Sequence, residues 1–61
     1  FVLLNNGEIG RVVGVNEGLP LRPVVEVYFD NEGKPPEKPM RIDLAKSTII
    51  HVEKAIDEND L

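Results

Sequence analysis

The amino-acid sequence predicts an all-β fold: a small five-stranded, partly open SH3-like barrel, with a short helical turn near the C-terminus. Short runs rich in β-branched and aliphatic residues alternate with turn-forming residues, which is the rhythm of an all-β chain. Sixty-one residues make one domain at most. Five short strands in a chain of this length favour a compact barrel, because that arrangement limits exposed strand edges.

The first two predicted strands are joined by a tight turn. The first strand is Phe1–Leu4, and the Asn6-Gly7 pair after it is a strong hairpin signal because both residues tolerate a positive φ. The second strand is Ile9–Asn16. Its Gly10 and Gly14 cost stability inside a strand, so we expect them to mark bends or close backbone approaches.

The third predicted strand, Val24–Asp30, has the clearest alternation. Val25, Val27 and Phe29 fall on one face, and Phe29 is the largest candidate core side chain on that face. The segment Glu17–Pro23 before it contains two prolines, which keep the backbone out of helix. We therefore predict an extended connection there.

The second half of the chain is predicted from turn and proline positions. A turn at Gly33 precedes Pro35–Pro39, whose three prolines forbid a central strand and indicate an exposed loop or edge. Arg41–Leu44 alternates again, with its two apolar residues facing inward. Ala45–Thr48 is predicted to form a single helical turn.

The closing segment allows two interpretations. We predict a fifth strand at Ile49–Lys54 because β-branched residues dominate its start. The apolar residues of 49–56 also fit helical spacing, so strand and helix both stay open there. The predicted domain organisation is a β-barrel over residues 1–54, followed by a flexible acidic tail over residues 55–61.

Composition and charge exclude several classes of function. The chain has no cysteine, so it forms neither a disulfide framework nor a cysteine-based zinc site, and it fits a reducing cytoplasm. The net charge is −4, but the first fifty residues are nearly balanced, with six basic and seven acidic side chains. We expect neither a nucleic-acid nor a membrane partner, because both need a basic footprint. The chain opens on Phe1 without a methionine, and we expect a domain excised from a larger bacterial-type protein.

His51 is the only histidine and the first candidate for chemistry. His51 and Glu53 share one strand face at i and i+2. A metal site would need further histidine, cysteine or carboxylate ligands, and none lies nearby in the sequence. We therefore interpret His51 as a surface residue.

The remaining candidate side chains also point to structural roles. Ser47 and Thr48 are predicted to make turn or capping hydrogen bonds, since no glycine elbow accompanies them. Asp43 is predicted to form a surface ion pair with Arg41, two residues away. The prediction is that the chain carries no catalytic, cofactor-binding or metal-binding residue.

One motif favours a nucleic-acid-associated protein instead. The segment Gly7–Val13 resembles the glycine-containing KOW motif of ribosome- and transcription-associated barrels, and Arg11, Arg22 and Arg41 are candidates to line one face. Stacking aromatics beyond Tyr28 are lacking, and there is no basic excess. A KOW-like barrel is therefore one alternative interpretation of the chain. A protein-interaction module that uses the proline loop or a sheet edge is another.

A wider set of turn, strand-end and proline motifs occurs in one order along the chain: Asn6-Gly7-Glu8-Ile9-Gly10, Val13, Val15-Asn16, Pro20-Leu21-Arg22-Pro23-Val24-Val25, Gly33, Pro39 and Ile42-Asp43-Leu44. This order resembles the small segment that follows the catalytic domain in many bacterial HD and HD-GYP phosphohydrolases. The resemblance runs from Phe1 to about Val52.

The resemblance implies a role for the chain but no site within it. The catalytic part of such proteins hydrolyses phosphodiesters, typically cyclic di-GMP, at a metal centre of histidines and aspartates. This sequence has no His-Asp doublet and no Gly-Tyr-Pro triplet, so no catalytic residue carries over. The resemblance implies an accessory domain that partners the catalytic domain of its own chain, aids folding and packing, or shapes a homodimer.

Overall fold

The computed structural model describes residues 1–60. Five strands in this range form one antiparallel sheet. A short 3₁₀ helix follows the last strand, where a helical turn near the C-terminus was predicted. The only helix in this part of the chain is three residues long, so none has the length and hydropathy to cross a bilayer. The elements are β1 (Val2–Leu4), β2 (Ile9–Asn16), β3 (Leu19–Phe29), β4 (Met40–Asp43), β5 (Val52–Ala55) and the 3₁₀ helix (Glu58–Asp60).

The strand order confirms the prediction of an all-β, partly open fold. The order is β4-β3-β2-β1-β5, so the two edge strands β4 and β5 are not paired with each other among the described residues. Ile42 of β4 and Val52 of β5 nevertheless pack against the same buried cluster. The sheet is therefore curled around one core without closing.

The turn between β1 and β2 differs in type from the predicted one. The N–H of Gly7 donates to the carbonyl of Leu4 (3.0 Å), and the N–H of Leu4 donates to the carbonyl of Glu8 (2.8 Å). Gly7 has φ +91°, whereas no residue other than glycine has a positive φ among the described residues. The loop is thus a three-residue turn that needs one left-handed residue, and Asn6 is not that residue. Gly33 (φ +81°) closes the turn after β3.

Gly10 confirms the prediction of a close backbone approach. A Cβ atom at this position would collide with the carbonyl oxygen of Glu26 and would lie 2.8 Å from Cγ1 of Val25. Gly10 is buried and pairs with Val2 on one side and with Val27 on the other. A side chain here would push β2 and β3 apart, so only glycine fits.

The core is smaller than the sequence pattern predicted. Val25 and Val27 are buried as expected, with relative exposures of 0% and 2%. Phe29, the expected centre of the core, is only half-buried, because the register shifts between its partner Ile9 and Gly10. The fully buried cluster consists of Leu4, Val25 and Leu44, with Val2, Ile42, Ile50 and Val52 packed against it.

The predicted connection at Glu17–Pro23 is wrong over most of its length, because β3 starts at Leu19. Prolines are tolerated there because pairing with β4 begins only at Val24, opposite Asp43. Pairing with β2 is also irregular over Pro20–Pro23, so few ladder hydrogen bonds are lost to the missing N–H groups.

The fourth and fifth strands are displaced from their predicted bounds. The fourth ends at Asp43 rather than Leu44, and the turn after it is closed by a hydrogen bond from the N–H of Lys46 to the carbonyl of Asp43 (3.0 Å). The prediction of a strand over Ile49–His51 is wrong, because β5 covers only Val52–Ala55. The helical alternative for this segment is also wrong between Val52 and Ala55.

The last strand reaches one residue into the segment 55–61 that was predicted to be a flexible tail. Ala55 belongs to β5, and the N–H of Ile56 donates to the carbonyl of Phe1 (2.8 Å), so the sheet extends slightly beyond residue 54. The flexibility predicted for residues 55–61 stays a prediction. Its last residue, Leu61, lies outside the described residues.

Candidate functional site

Three residues from distant motifs meet beside the turn that joins β2 and β3. The side-chain Nδ2 of Asn16 donates to the carbonyl of Arg22 (2.7 Å) and to Oδ1 of Asp43 (2.8 Å). Oδ1 of Asp43 also accepts the N–H of Ala45 (3.0 Å). Asn16, Arg22 and Asp43, here called the polar cluster, therefore join β2, β3 and the end of β4.

The guanidinium of Arg22 extends the polar cluster to the next turn. Its Nη1 donates to the carbonyls of Leu44 (2.9 Å) and Ser47 (2.8 Å), and Arg22 is half-buried. The N–H of Leu44 donates in turn to the carbonyl of Pro23 (3.0 Å). These contacts satisfy half-buried backbone groups that have no ladder partner, so the role of the polar cluster is structural.

The polar cluster contradicts the predicted pair of Asp43 and Arg41. Nε of Arg41 instead contacts Oε2 of Glu26 at 3.1 Å, across β3 and β4. Asp43 uses its carboxylate on an amide and on a backbone N–H, because its position at the strand end faces Asn16. The sequence spacing placed the two charges close in the chain, but the sheet register pairs them with other partners.

The three arginines do not share one exposed face. Arg11 and Arg41 are both in register with Glu26, and Arg11 lies over the ring of Phe1 (5.3 Å to its centroid). Arg22 instead turns toward the backbone carbonyls after β4. The expectation of a three-arginine face is therefore wrong, and the carboxylate of Glu26 sits between the two arginines that remain.

His51 is exposed, and its main chain is held by a side chain from the first turn. Oδ1 of Asn5 accepts the N–H of His51 (2.9 Å), and Nδ2 of Asn5 donates to the carbonyl of Ile49 (2.9 Å). The N–H of Asn5 also donates to the carbonyl of His51 (3.0 Å), so Asn5 holds this segment next to the start of β5. Within residues 1–60, no three histidine, cysteine or carboxylate side chains are grouped so as to hold a metal ion.

The hydroxyl candidates have ordinary surroundings. Oγ of Ser47 accepts the N–H of Ile50 at 3.2 Å, which confirms a turn hydrogen bond for this residue. Thr48 is exposed.

A shallow concavity lies between β1 and the 3₁₀ helix. It brings one ammonium and one carboxylate near apolar side chains, and it is lined by Leu3, Ile9, Lys54, Ala55, Ile56 and Asp60.

The most unusual surface is the distal half of the β2–β3 hairpin, residues Val12–Leu21, here called the arm. Seven large apolar side chains are exposed in the part of the chain that the structure describes, and five of them lie on the arm. Leu21 is 85% exposed and Val15 is 79% exposed. The five are Val12, Val13, Val15, Leu19 and Leu21.

Sequence reasoning missed both the polar cluster and the arm. The strand pattern gave the bounds of β2 but not the exposure of its valines, and it assigned the prolines on either side of Leu21 to a connection. The signal that was available is the Pro20-Leu21-Arg22-Pro23 segment, which places a large apolar residue between prolines where the ladder cannot be regular.

Comparison with known proteins identifies a family. The family model described as "KOW domain associated with HD domain" matches residues 1–61. No curated protein and no solved structure matches the chain. The description joins two interpretations that the sequence offered separately, the KOW motif and the segment appended to HD domains.

Proposed function

The chain belongs to the family of KOW domains associated with HD domains, and we propose that it is a non-catalytic accessory domain of an HD-type metal-dependent phosphohydrolase. The partner is the catalytic domain of the same polypeptide. The observation that carries the proposal is the family match over the whole chain, since its description pairs this domain with an HD domain.

The substrate and compartment proposed for the parent come from the resemblance to HD-GYP proteins and from composition. Its substrate is a cyclic dinucleotide phosphodiester such as cyclic di-GMP. The cysteine-free sequence fits the reducing cytoplasm that we propose as its location. The metal ligands belong to the catalytic domain.

The chemistry of the described residues supports an accessory role. His51 and Thr48 are exposed, Ser47 serves a turn, and the polar cluster is occupied with backbone groups. A general base must reach a proton on a bound substrate, and a nucleophile needs an adjacent base. These candidate residues do not meet in such an arrangement.

The proposed contribution of the domain is to stability and assembly of the parent. Its exposed apolar side chains offer surface that can cover a complementary patch on the catalytic domain. Removing a docked domain would expose that patch and favour misfolding or association. A homodimer shaped by this domain is part of the proposal.

The test compares the full-length parent with a form that ends before this domain. We expect the truncated form to have a lower melting temperature, a lower soluble yield and a smaller dimer fraction by sedimentation. A truncated protein that is equally stable, soluble and dimeric would contradict the accessory function.

A nucleic-acid-binding function is the second candidate, favoured by the KOW designation and by one surface. Phe1 and Tyr28 meet edge to face (5.8 Å between centroids), and Arg11 lies over Phe1. Aromatic rings and arginine on one face are the elements of a single-strand binding surface. The carboxylate of Glu26 beside Arg11 and the net charge of −4 oppose it.

Fluorescence anisotropy with single-stranded RNA separates the two functions. The accessory function predicts no binding tighter than about 100 µM, the weak end of non-specific association at physiological salt. Tighter binding that weakens with salt and is lost in Arg11→Ala would favour the nucleic-acid function.

A further inference from the structure

The arm carries an apolar surface that the fold does not use. Leu21 and Val15 are more than three-quarters exposed, and Leu19, Val12 and Val13 are about half exposed. The fully buried cluster of Leu4, Val25 and Leu44 includes no residue of the arm. Truncating an arm side chain should therefore cost the domain itself little stability.

The arm is also nearly free of charge. Between Val12 and Leu21 only Glu17 is ionisable, whereas charged residues make up 30% of the whole sequence. Val12 and Val13 are successive residues of β2 and point to opposite faces of the sheet, so the arm exposes apolar side chains on both faces. Exposed apolar surface of this extent is typical of a site that another surface covers. Elsewhere among the described residues, the exposed large apolar side chains are Met40 and Ile49.

The arm is held in a defined direction by the polar cluster. Asn16, within the arm, is bonded to Asp43 at the end of β4, and Arg22, next to the arm, is bonded to the turn after β4. An arm whose turn end is bonded to the end of β4 loses less conformational entropy on binding than a free hairpin would. This geometry suits docking of a preformed surface.

We propose that the arm is the docking surface for the HD domain of the same polypeptide; this inference rests on the proposed accessory function. The family description supplies the partner. The size of the surface favours a tethered partner over a second copy. Five partly exposed side chains offer less than the ~800 Å² per partner that a stable complex of separate chains buries. A covalent linker provides a high effective concentration, so a small apolar patch is sufficient.

The first test uses the full-length parent with Leu21→Ser, and Ile49→Ser as a matched control. Both residues are large, apolar and strongly exposed, at 85% and 77%, but only Leu21 lies on the arm. We expect Leu21→Ser to lower the melting temperature of the parent by about 2–4 °C, the shift for a loss of one kcal/mol in a protein of 150–250 residues. Ile49→Ser should leave the melting temperature unchanged. Equal melting temperatures for the two variants would overturn the inference.

The second test does not depend on stability. A benzoylphenylalanine photo-cross-linker is placed at position 21 or at position 49 of the full-length parent, and the products are mapped by mass spectrometry. We expect the position-21 probe to cross-link within one chain to HD-domain peptides, at a yield several-fold above the position-49 probe. Cross-links only between two chains, or a yield equal to that of the control, would overturn the inference.

Failure of this inference can be told apart from failure of the accessory function. If truncation of the whole domain lowers stability while both arm tests are negative, the accessory function holds and docking uses another surface. If truncation has no effect, the accessory function fails as well.

Discussion

At the scale of single residues, Gly10 shows how one position controls the spacing of two strands. The carbonyl of Glu26 and the side chain of Val25 fill the space that a β-carbon at position 10 would need. Gly14, four residues along the same strand, has its nearest neighbour at 3.6 Å, an ordinary van der Waals distance. Neither glycine has a positive φ, so the two positions differ only in the space that is available for a β-carbon.

The comparison of Gly10→Ala with Gly14→Ala follows from these distances. Gly10→Ala should destabilise the domain by about 1–3 kcal/mol, because overpacking forces the backbone of β2 away from β3. Gly14→Ala should be neutral or slightly stabilising, since alanine lowers the entropy of the unfolded chain. Urea denaturation followed by circular dichroism measures both. Similar losses in the two variants would show that the close approach at Gly10 does not exist.

Leu44 and Phe29 differ in burial, so their replacement by alanine should cost different amounts of stability. Leu44 is fully buried, whereas Phe29 keeps part of its ring in water. Leu44→Ala should cost about 2–5 kcal/mol of unfolding free energy, a large share of the roughly 3–9 kcal/mol expected for a chain of this length. Phe29→Ala should cost less than Leu44→Ala in the same urea titration. The reverse order would place the core around Phe29, as the strand pattern alone predicted.

At the scale of elements, the polar cluster substitutes for regular strand pairing. Only Val15 of β2 lies opposite Pro20–Pro23 of β3 between the paired positions on either side. The side-chain amide of Asn16 donates a hydrogen bond to the carbonyl of Arg22, a residue that is not paired with β2. Side-chain hydrogen bonds from Asn16 and Arg22 therefore stabilise the turn end of the hairpin where the β2–β3 ladder is irregular.

Asn16→Ala tests this role, with Asn59→Ala as the control. Asn16→Ala removes the donor to the half-buried carbonyl of Arg22 and one of the two donors to Oδ1 of Asp43, so a loss of about 1–3 kcal/mol is expected. Asn59 is exposed within the 3₁₀ helix, and its replacement should change stability by less than about 0.5 kcal/mol. Hydrogen exchange of the arm amides should also accelerate in Asn16→Ala. An Asn16→Ala variant as stable as Asn59→Ala would show that the polar cluster does not stabilise the fold.

The sequence predicted the elements better than it predicted their surroundings. The bounds of β2 and the burial of Val25 and Val27 follow from alternation, a local property. The early start of β3 and the short β5 depend on what lies opposite each residue: an irregular ladder in one case and the side chain of Asn5 in the other. Such contacts between residues distant in sequence have no signature in the spacing of apolar residues, so the polar cluster could not be predicted, and the arm was indicated only by the prolines around Leu21.

At the scale of the whole molecule, one small core supports a long hairpin whose turn end is bonded to the end of β4. The buried cluster is formed by β1, β3 and the turn after β4, and it includes no residue of the arm. A domain of 61 residues buries about 60% of the surface of its unfolded chain, so little apolar surface can be spared without a function. The accessory function provides such a use, because the arm can be covered in the complete protein.

The central claim, that this domain supports an HD phosphohydrolase without taking part in its chemistry, is tested most directly by turnover per active site. Full-length and truncated parent are titrated for bound metal and assayed on cyclic di-GMP, with bis(p-nitrophenyl) phosphate as a general phosphodiester probe. The account predicts equal turnover per metal-loaded site within about a factor of three, which is less than 1 kcal/mol of activation free energy. A loss of about tenfold or more in a truncated protein that keeps its metal and its fold would contradict the account and place this domain in the active site.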